Sequence, residues 1–271
     1  MEGWMIVAQV LLAIAYAALA YVDRMLPAHS SAGINARTLR AATAIAVIVH
    51  AIVVWRLLFR NDGINLSFAV SLSLIGFLLA LWSAVSGTLM PVPGMARRTL
   101  PLVAVATLLP VILPAPHWLP YSTDLVAAAH LVVALLAFSL LVIAAVQAAA
   151  MLALQQDLRQ GLATSSVAMP PVLTLERWLF GLIAIGFVLL TATLVSGAIF
   201  SESLFGKPVQ FTHKTLFSGL AWLLFGVLLA GRWRFGWRGR KALRWVVLGS
   251  LLLLIGYAGS KFVLEVLLGR R

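Results

Sequence analysis

DLVAAAHLVVALLAFSLLVIAAVQAAAMLALQQDLR, residues 124–159, is the stretch that decides the architecture. No Asp, Glu, Lys or Arg stands between Asp124 and Asp157, and the one ionisable side chain inside the run is His130, near its start. At 1.5 Å per residue the run makes a helix of roughly 50 Å, longer than the ~30 Å hydrocarbon core of a bilayer. Its middle is expected to cross a membrane, with the Gln155-Gln156-Asp157 end standing in water.

The same pattern repeats on both sides. Counting this run as 123–154, spans are expected near 4–22, 39–59, 66–89, 99–115, 123–154, 177–199, 212–231 and 243–267. The fourth is short and holds Pro101 and Pro110, which membrane helices tolerate when neighbours satisfy the freed carbonyl. The chain is 62% apolar and 10% charged, where a soluble domain carries about a quarter charged residues. The expected fold is all-α: a polytopic integral membrane protein of eight transmembrane helices, forming one transmembrane domain over 1–271. The longest connection, about 155–176, contains Met169-Pro170-Pro171 and reads as a loop. No soluble domain, internal repeat, P-loop or dinucleotide fingerprint is visible.

Charge gives the orientation. With the N-terminus outside, the cytoplasmic connections hold thirteen of the twenty lysines and arginines, six of them between Arg232 and Arg244. Both termini then face the extracytoplasmic side of a bacterial inner membrane. The formal charge of +12 does not indicate nucleic acid, because the basic residues sit in short connections where headgroups and the insertion machinery read them. The 232–244 cluster, mixed with Trp233 and Trp237, reads as a topology determinant and headgroup anchor. Cysteine is absent, which excludes disulfides, thiolate metal sites and covalent haem attachment to this chain. No basic segment precedes Trp4, so the first span is not expected to be a cleaved leader.

Ionisable groups at membrane depth cost several kcal/mol and are functional candidates by default. On this topology His50 lies ~13 Å below the outer end of the second span, and His130 ~10 Å below that of the fifth. His213 and Lys214 stand at the outer mouth of the seventh span, and Lys261 and Glu265 in the outer part of the eighth. All lie in one half of the membrane. Histidines at such depths on separate helices can serve as the two axial ligands of a haem, His50 and His130 being the candidates for the iron. Haem propionates need cations near the water boundary, for which Arg56 and Lys214 are placed.

Each residue also has a plainer role. A histidine within a helix commonly donates an interhelical hydrogen bond. Arg56 and Arg60 can reach headgroups along their own stems. Lys261 and Glu265 have the i, i+4 spacing of a structural ion pair. Trp118, in Pro116-His117-Trp118-Leu119-Pro120, suits an interfacial anchor; His117 can cap an outward pocket, and His29 reads as solvated. Two other functions stay open: a secondary transporter or ion pathway using His50, Arg56, Lys261 and Glu265, and a structural scaffold. No Ser/His/carboxylate or metal-ligand spacing points to an enzyme.

Several segments together resemble a known family. They are Leu175-Glu176-Arg177, then Phe211-Thr212-His213-Lys214-Thr215, Ser218-Gly219-Leu220-Ala221-Trp222-Leu223, Gly236-Trp237-Arg238-Gly239-Arg240 and Gly256-Tyr257-Ala258-Gly259-Ser260-Lys261-Phe262, with His130 opening the fifth span. In order and spacing they resemble the cytochrome c assembly family, in its small stand-alone HemX-like branch. The resemblance implies eight membrane helices that bind or handle haem b, partnered by the bilayer, by haem and by other cytochrome biogenesis proteins. In that family, histidines inside the membrane hold haem, and outer histidines beside a tryptophan-rich segment present it to apocytochrome. Here no tryptophan lies between Phe200 and Lys214, and no histidine follows the last span. The resemblance therefore implies an accessory factor in cytochrome c biogenesis or haem homeostasis that does not complete thioether ligation.

Overall fold

The computed structural model describes residues 3–25, 34–60, 63–65, 67–89, 95–113, 118–120, 125–160, 172–199, 213–259 and 262. Among these, eight α-helices carry the fold: α1 (Gly3–Met25), α2 (Ile34–Leu58), α3 (Phe68–Leu89), α4 (Met95–Ile112), α5 (Leu125–Arg159), α6 (Val172–Ile199), α7 (His213–Phe235) and α8 (Gly239–Leu254). The first seven are each long and apolar enough to cross a membrane. The eighth runs on into a π-helical turn over Ile255–Gly259. The all-α polytopic architecture expected from the sequence is what folds.

α5 is one uninterrupted helix of 35 residues, as its charge-free run requires. α4 passes through Pro101 and Pro110 without ending. Several helices extend past the expected spans into charged sequence: α1 through Asp23 and Arg24, α2 from Ile34 through Arg37, α4 from Met95 through Arg97 and Arg98, and likewise α6, α7 and α8. α6 begins at Val172, five residues before the expected start; α7 continues to Phe235; and α8 begins at Gly239. At Glu176 of α6 and Arg232 of α7 an ion pair accommodates the extension. Arg232 Nη1 lies 3.4 Å from Glu176 Oε2, so neither charge has to leave the helix for water. The expected 232–242 connection shrinks to Gly236, Trp237 and Arg238, a turn made possible by Gly236 and Gly239 at φ +63° and +70°.

The chain divides into two compact units. The first covers Met1–Tyr121 with Gln156–Pro171 and the last two residues; the second covers Ser122–Gln155 and Val172–Gly269. In the first, α1 packs on α2 and α4, and α3 packs on the same two, closing a ring of four. Its interior mixes polar with apolar side chains, Thr43, His50, Ser73, Thr99 and Thr107 being buried beside Leu12, Val53 and Leu100, while Ile14, Ile45 and Ile48 are exposed. An apolar exterior suits lipid as solvent. Several of the buried hydroxyls bond a carbonyl of their own helix, as Thr43 does to Leu39 O at 2.8 Å and Thr99 to Met95 O at 3.0 Å. One end of this unit carries an antiparallel sheet that the sequence did not announce, β1 (Phe59–Arg60), β2 (Gly63–Asn65) and β3 (Trp118–Pro120), with Phe59 opposite Ile64 and Ile64 opposite Leu119. Strands of two and three residues are too short to show an alternating pattern.

In the second unit α7 packs on α6 and α8. Ser250 of α8 donates to Leu141 O of α5 at 2.8 Å. Trp222 Nε1 of α7 donates to Thr191 Oγ1 of α6 at 2.9 Å, and its ring stacks on Phe187.

Candidate functional site

Two histidines dominate, one in each unit. In the first, His50 is fully buried at 0% exposure, as is Tyr16. α2 turns His50 toward the three other helices, and each supplies a hydroxyl. Tyr16 Oη of α1 lies 3.3 Å from Nδ1, Ser73 Oγ of α3 3.3 Å from Nε2, and Thr107 Oγ1 of α4 3.5 Å from Nε2. The rings of Tyr16 and Phe77 complete the enclosure.

Counting protons assigns the tautomer. Thr107 has one hydroxyl proton and gives it to Val103 O at 2.8 Å, so toward His50 it accepts. Nε2 therefore carries the hydrogen, shared between Ser73 and Thr107, and Nδ1 accepts the Tyr16 O–H. Only this assignment makes all three contacts hydrogen bonds at once. Both ring nitrogens of His50 are then engaged by hydroxyls. Arg56, also in this unit, is exposed in the last turn of α2.

The second unit holds His130, His213 and Lys214. They lie where α5 and α7 begin and α6 ends. His130 is half-buried, and its Nδ1 lies 2.8 Å from Ser196 Oγ of α6. Beside it, a Cβ placed on Gly197 would stand 3.4 Å from His130 Cε1, so the bare glycine lets the ring approach α6. His213, the first residue of α7, is exposed. Lys214 is exposed as well, with Nζ 5.7 Å from the centroid of the Tyr257 ring, a cation–π distance. Tyr257 sits in the π-turn of α8 and packs on Phe138 of α5 at 5.0 Å between centroids. π-Turns inside helices often mark functional positions.

The opposite end of the second unit is held by Glu176. Its carboxylate accepts from Arg232 Nη1 at 3.4 Å and from the backbone N–H of Gly239 at 3.0 Å. Arg238, the N-cap residue of α8, makes no side-chain cap bond, so Glu176 of α6 caps α8 in its place. Arg232 also donates to Trp237 O at 3.1 Å and lies over the Phe180 ring at 4.4 Å.

The donor sets differ in what they can offer a haem iron. His130 fits the requirement: an imidazole steadied through one nitrogen by a second-layer oxygen, beside a glycine whose missing Cβ leaves room at the ring. His50, as placed, gives both nitrogens to hydroxyls. His29, His117, Lys261 and Glu265 lie outside the described residues. Among the described residues no three His, Asp or Glu side chains gather in metal-binding array. Sequence reasoning did not single out Tyr16, Ser73, Thr107 or Ser196. A lone tyrosine or serine in an apolar helix carries little hydropathy signal, although the Ser196-Gly197 pair near a helix end marks a close approach.

Comparison with known proteins identifies the family. The family model described as "Cytochrome C assembly protein" matches residues 38–268. The "Inner membrane protein YpjD" of Escherichia coli (strain K12) is 31% identical over 232 residues, covering 83% of this chain and 86% of that protein. An "Uncharacterized 28.8 kDa protein in nifR3-like 5'region" of Azospirillum brasilense is 35% identical over 141 residues, 52% of each chain. The "Cytochrome c biogenesis protein CcsA" of Heterosigma akashiwo is 30% identical over 92 residues, 34% of this chain and 29% of that one. No solved structure matches significantly.

Proposed function

Because this chain belongs to the cytochrome c assembly protein family, we propose that it is a haem-handling inner membrane protein that serves cytochrome c biogenesis or haem homeostasis as an accessory factor without catalytic turnover. Its placement as a multi-pass inner membrane protein follows from its membrane-crossing helices and its similarity to the Escherichia coli protein. The similarity to CcsA supports a part in cytochrome c biogenesis. The observation that carries the finer reading is His130, half-buried and bonded through Nδ1 to Ser196.

Haem b, when bound, would supply an iron that takes axial nitrogen ligands. The chain's own residues do the rest. His130 offers imidazole nitrogen. Lys214 stands at the start of α7 as a cation for a propionate, with His213 beside it. Arg56, in the last turn of α2, is the candidate cation of the first unit.

Purification of the detergent-solubilised protein from haem-replete cells tests this. The expected result is a Soret band, reduced by His130→Ala. Absence of the band, together with no uptake of added hemin, removes the proposal.

A specific observation favours a second reading for the first unit. Hydroxyls from three helices satisfy His50, which is the arrangement expected of packing glue. On that reading His50→Ala lowers thermal stability and leaves the Soret band intact.

A further inference from the structure

At the end of the second unit that Glu176 holds, three helices each set an exposed arginine beside an exposed tryptophan. α6 carries Arg177-Trp178 in its second turn, α7 carries Trp233-Arg234 in its last, and α8 carries Arg244-Trp245 in its second. The indoles are 48%, 86% and 36% exposed. Arg238 and Lys241 add further exposed cations at the same end. Among its described residues the second unit has one carboxylate, that of Glu176, which is buried and engaged by Arg232 and the Gly239 N–H. Among the described residues no side chain pairs with Arg177, Arg234, Arg238, Lys241 or Arg244. These charges face outward, toward an anion that the described residues of the unit do not supply.

We propose that this end is a binding surface selective for anionic phospholipid, with the outward arginines taking the phosphates. A guanidinium meets phosphate through two parallel N–H donors, and tryptophan favours the level where headgroups meet hydrocarbon. α8 shows both in register. Beyond Arg244 and Trp245 its exposed face turns aliphatic through Leu248, Leu251 and Ile255, reaching ~16 Å along the axis from Arg244. Cation, indole and aliphatic side chain follow in the order in which a phospholipid presents phosphate, glycerol ester and acyl chain. On α7 the exposed Leu220, Leu223 and Val227 lead to Trp233 and Arg234 in the same spatial order. An acidic protein segment would satisfy the cations but would leave the indoles and the aliphatic faces beyond them uncovered. The set is not the basic cluster of the sequence. Arg232 belongs to that cluster and turns inward to Glu176, whereas Arg177-Trp178, distant in the chain, joins the outward group.

Because the chain has no cysteine, Leu248→Cys takes a single fluorophore on the exposed face of α8. The full-length labelled protein is reconstituted in phosphatidylcholine bilayers, and quenching by chain-spin-labelled phosphatidylglycerol is compared with quenching by the equivalent phosphatidylcholine. The expected result is a preference of about fivefold or more for the anionic lipid, falling as sodium chloride is raised. Combining Arg177→Gln, Arg234→Gln and Arg244→Gln is expected to bring the preference to within about twofold of parity. Arg177→Gln alone is expected to lose part of it, a readout that remains if the triple variant fails to fold. Combining Arg24→Gln, Arg37→Gln and Arg97→Gln removes the same charge from exposed positions of the first unit and is expected to leave the preference in place. No preference in the wild type, an undiminished preference in the folded triple variant, or equal loss in the first-unit variant overturns the proposal. Displacement of the anionic lipid by millimolar inorganic phosphate at constant ionic strength overturns it too, by making free phosphate the ligand. The measurement needs no haem, so its outcome is independent of the function proposed above.

Discussion

Tyr16 and His50, fully buried on α1 and α2, meet at 3.3 Å between the phenol oxygen and Nδ1, and this bond closes a polar centre that all four helices of the first unit share. In hydrocarbon no water replaces a lost partner, so the pair ties the packing of α1 and α2 to a specific side-chain geometry.

Tyr16→Phe removes the donor and leaves Nδ1 unsatisfied, an expected loss of about 1 kcal/mol. His50→Ala opens a cavity and orphans the Tyr16 hydroxyl, so its melting temperature in detergent is expected to fall below that of Tyr16→Phe. Equal melting curves for wild type and His50→Ala would show that the centre contributes no stability.

Glu176 joins α6, α7 and α8 through one carboxylate. Glu176→Ala strips the cap from α8 and leaves Arg232 without its anion. Breaking a fully buried pair costs about 3–5 kcal/mol; the Arg232 side chain is 22% exposed, so about 2–3 kcal/mol is expected. Adding Arg232→Met should recover part of the loss, which a double-mutant cycle of thermal melts measures.

Gly236 lies at φ +63° with nothing within 4 Å of an added Cβ, so substitution there tests backbone conformation alone. Gly236→Ala is expected to cost ~1 kcal/mol with no packing component. A neutral result in thermal melts would mean that the turn between α7 and α8 adopts another conformation.

The absence of cysteine makes single-cysteine labelling unambiguous. With the orientation set by the basic connections, Arg234→Cys should react with a membrane-impermeant maleimide only after the membrane is opened. His213→Cys should react in intact spheroplasts. The reverse pattern would invert the topology and place the ends of α5 and α7 near His130 on the inner side.

The eight helices were legible because crossing a bilayer is a local property. Length, apolar content and freedom from charge are visible in any window, and α5 shows all three. That α6, α7 and α8 run on as helix beyond the expected spans was not legible for the converse reason. Glu176 and Arg232 look like boundaries one at a time and become interior only when paired across 56 positions. The sheet over residues 59–120 escaped notice because its strands gain their pattern only from each other.

His50 and His130 stood out as candidates through their cost in hydrocarbon, which hydropathy registers directly. What distinguishes them is the side chains around each, among them hydroxyls distant in the chain: Tyr16, Ser73 and Thr107 for one, Ser196 for the other. Solvent preference accumulates along a chain and can be read from composition. Hydrogen-bond assignment depends on which helices lie side by side, so the chemistry of each imidazole appears only once the bundles are packed.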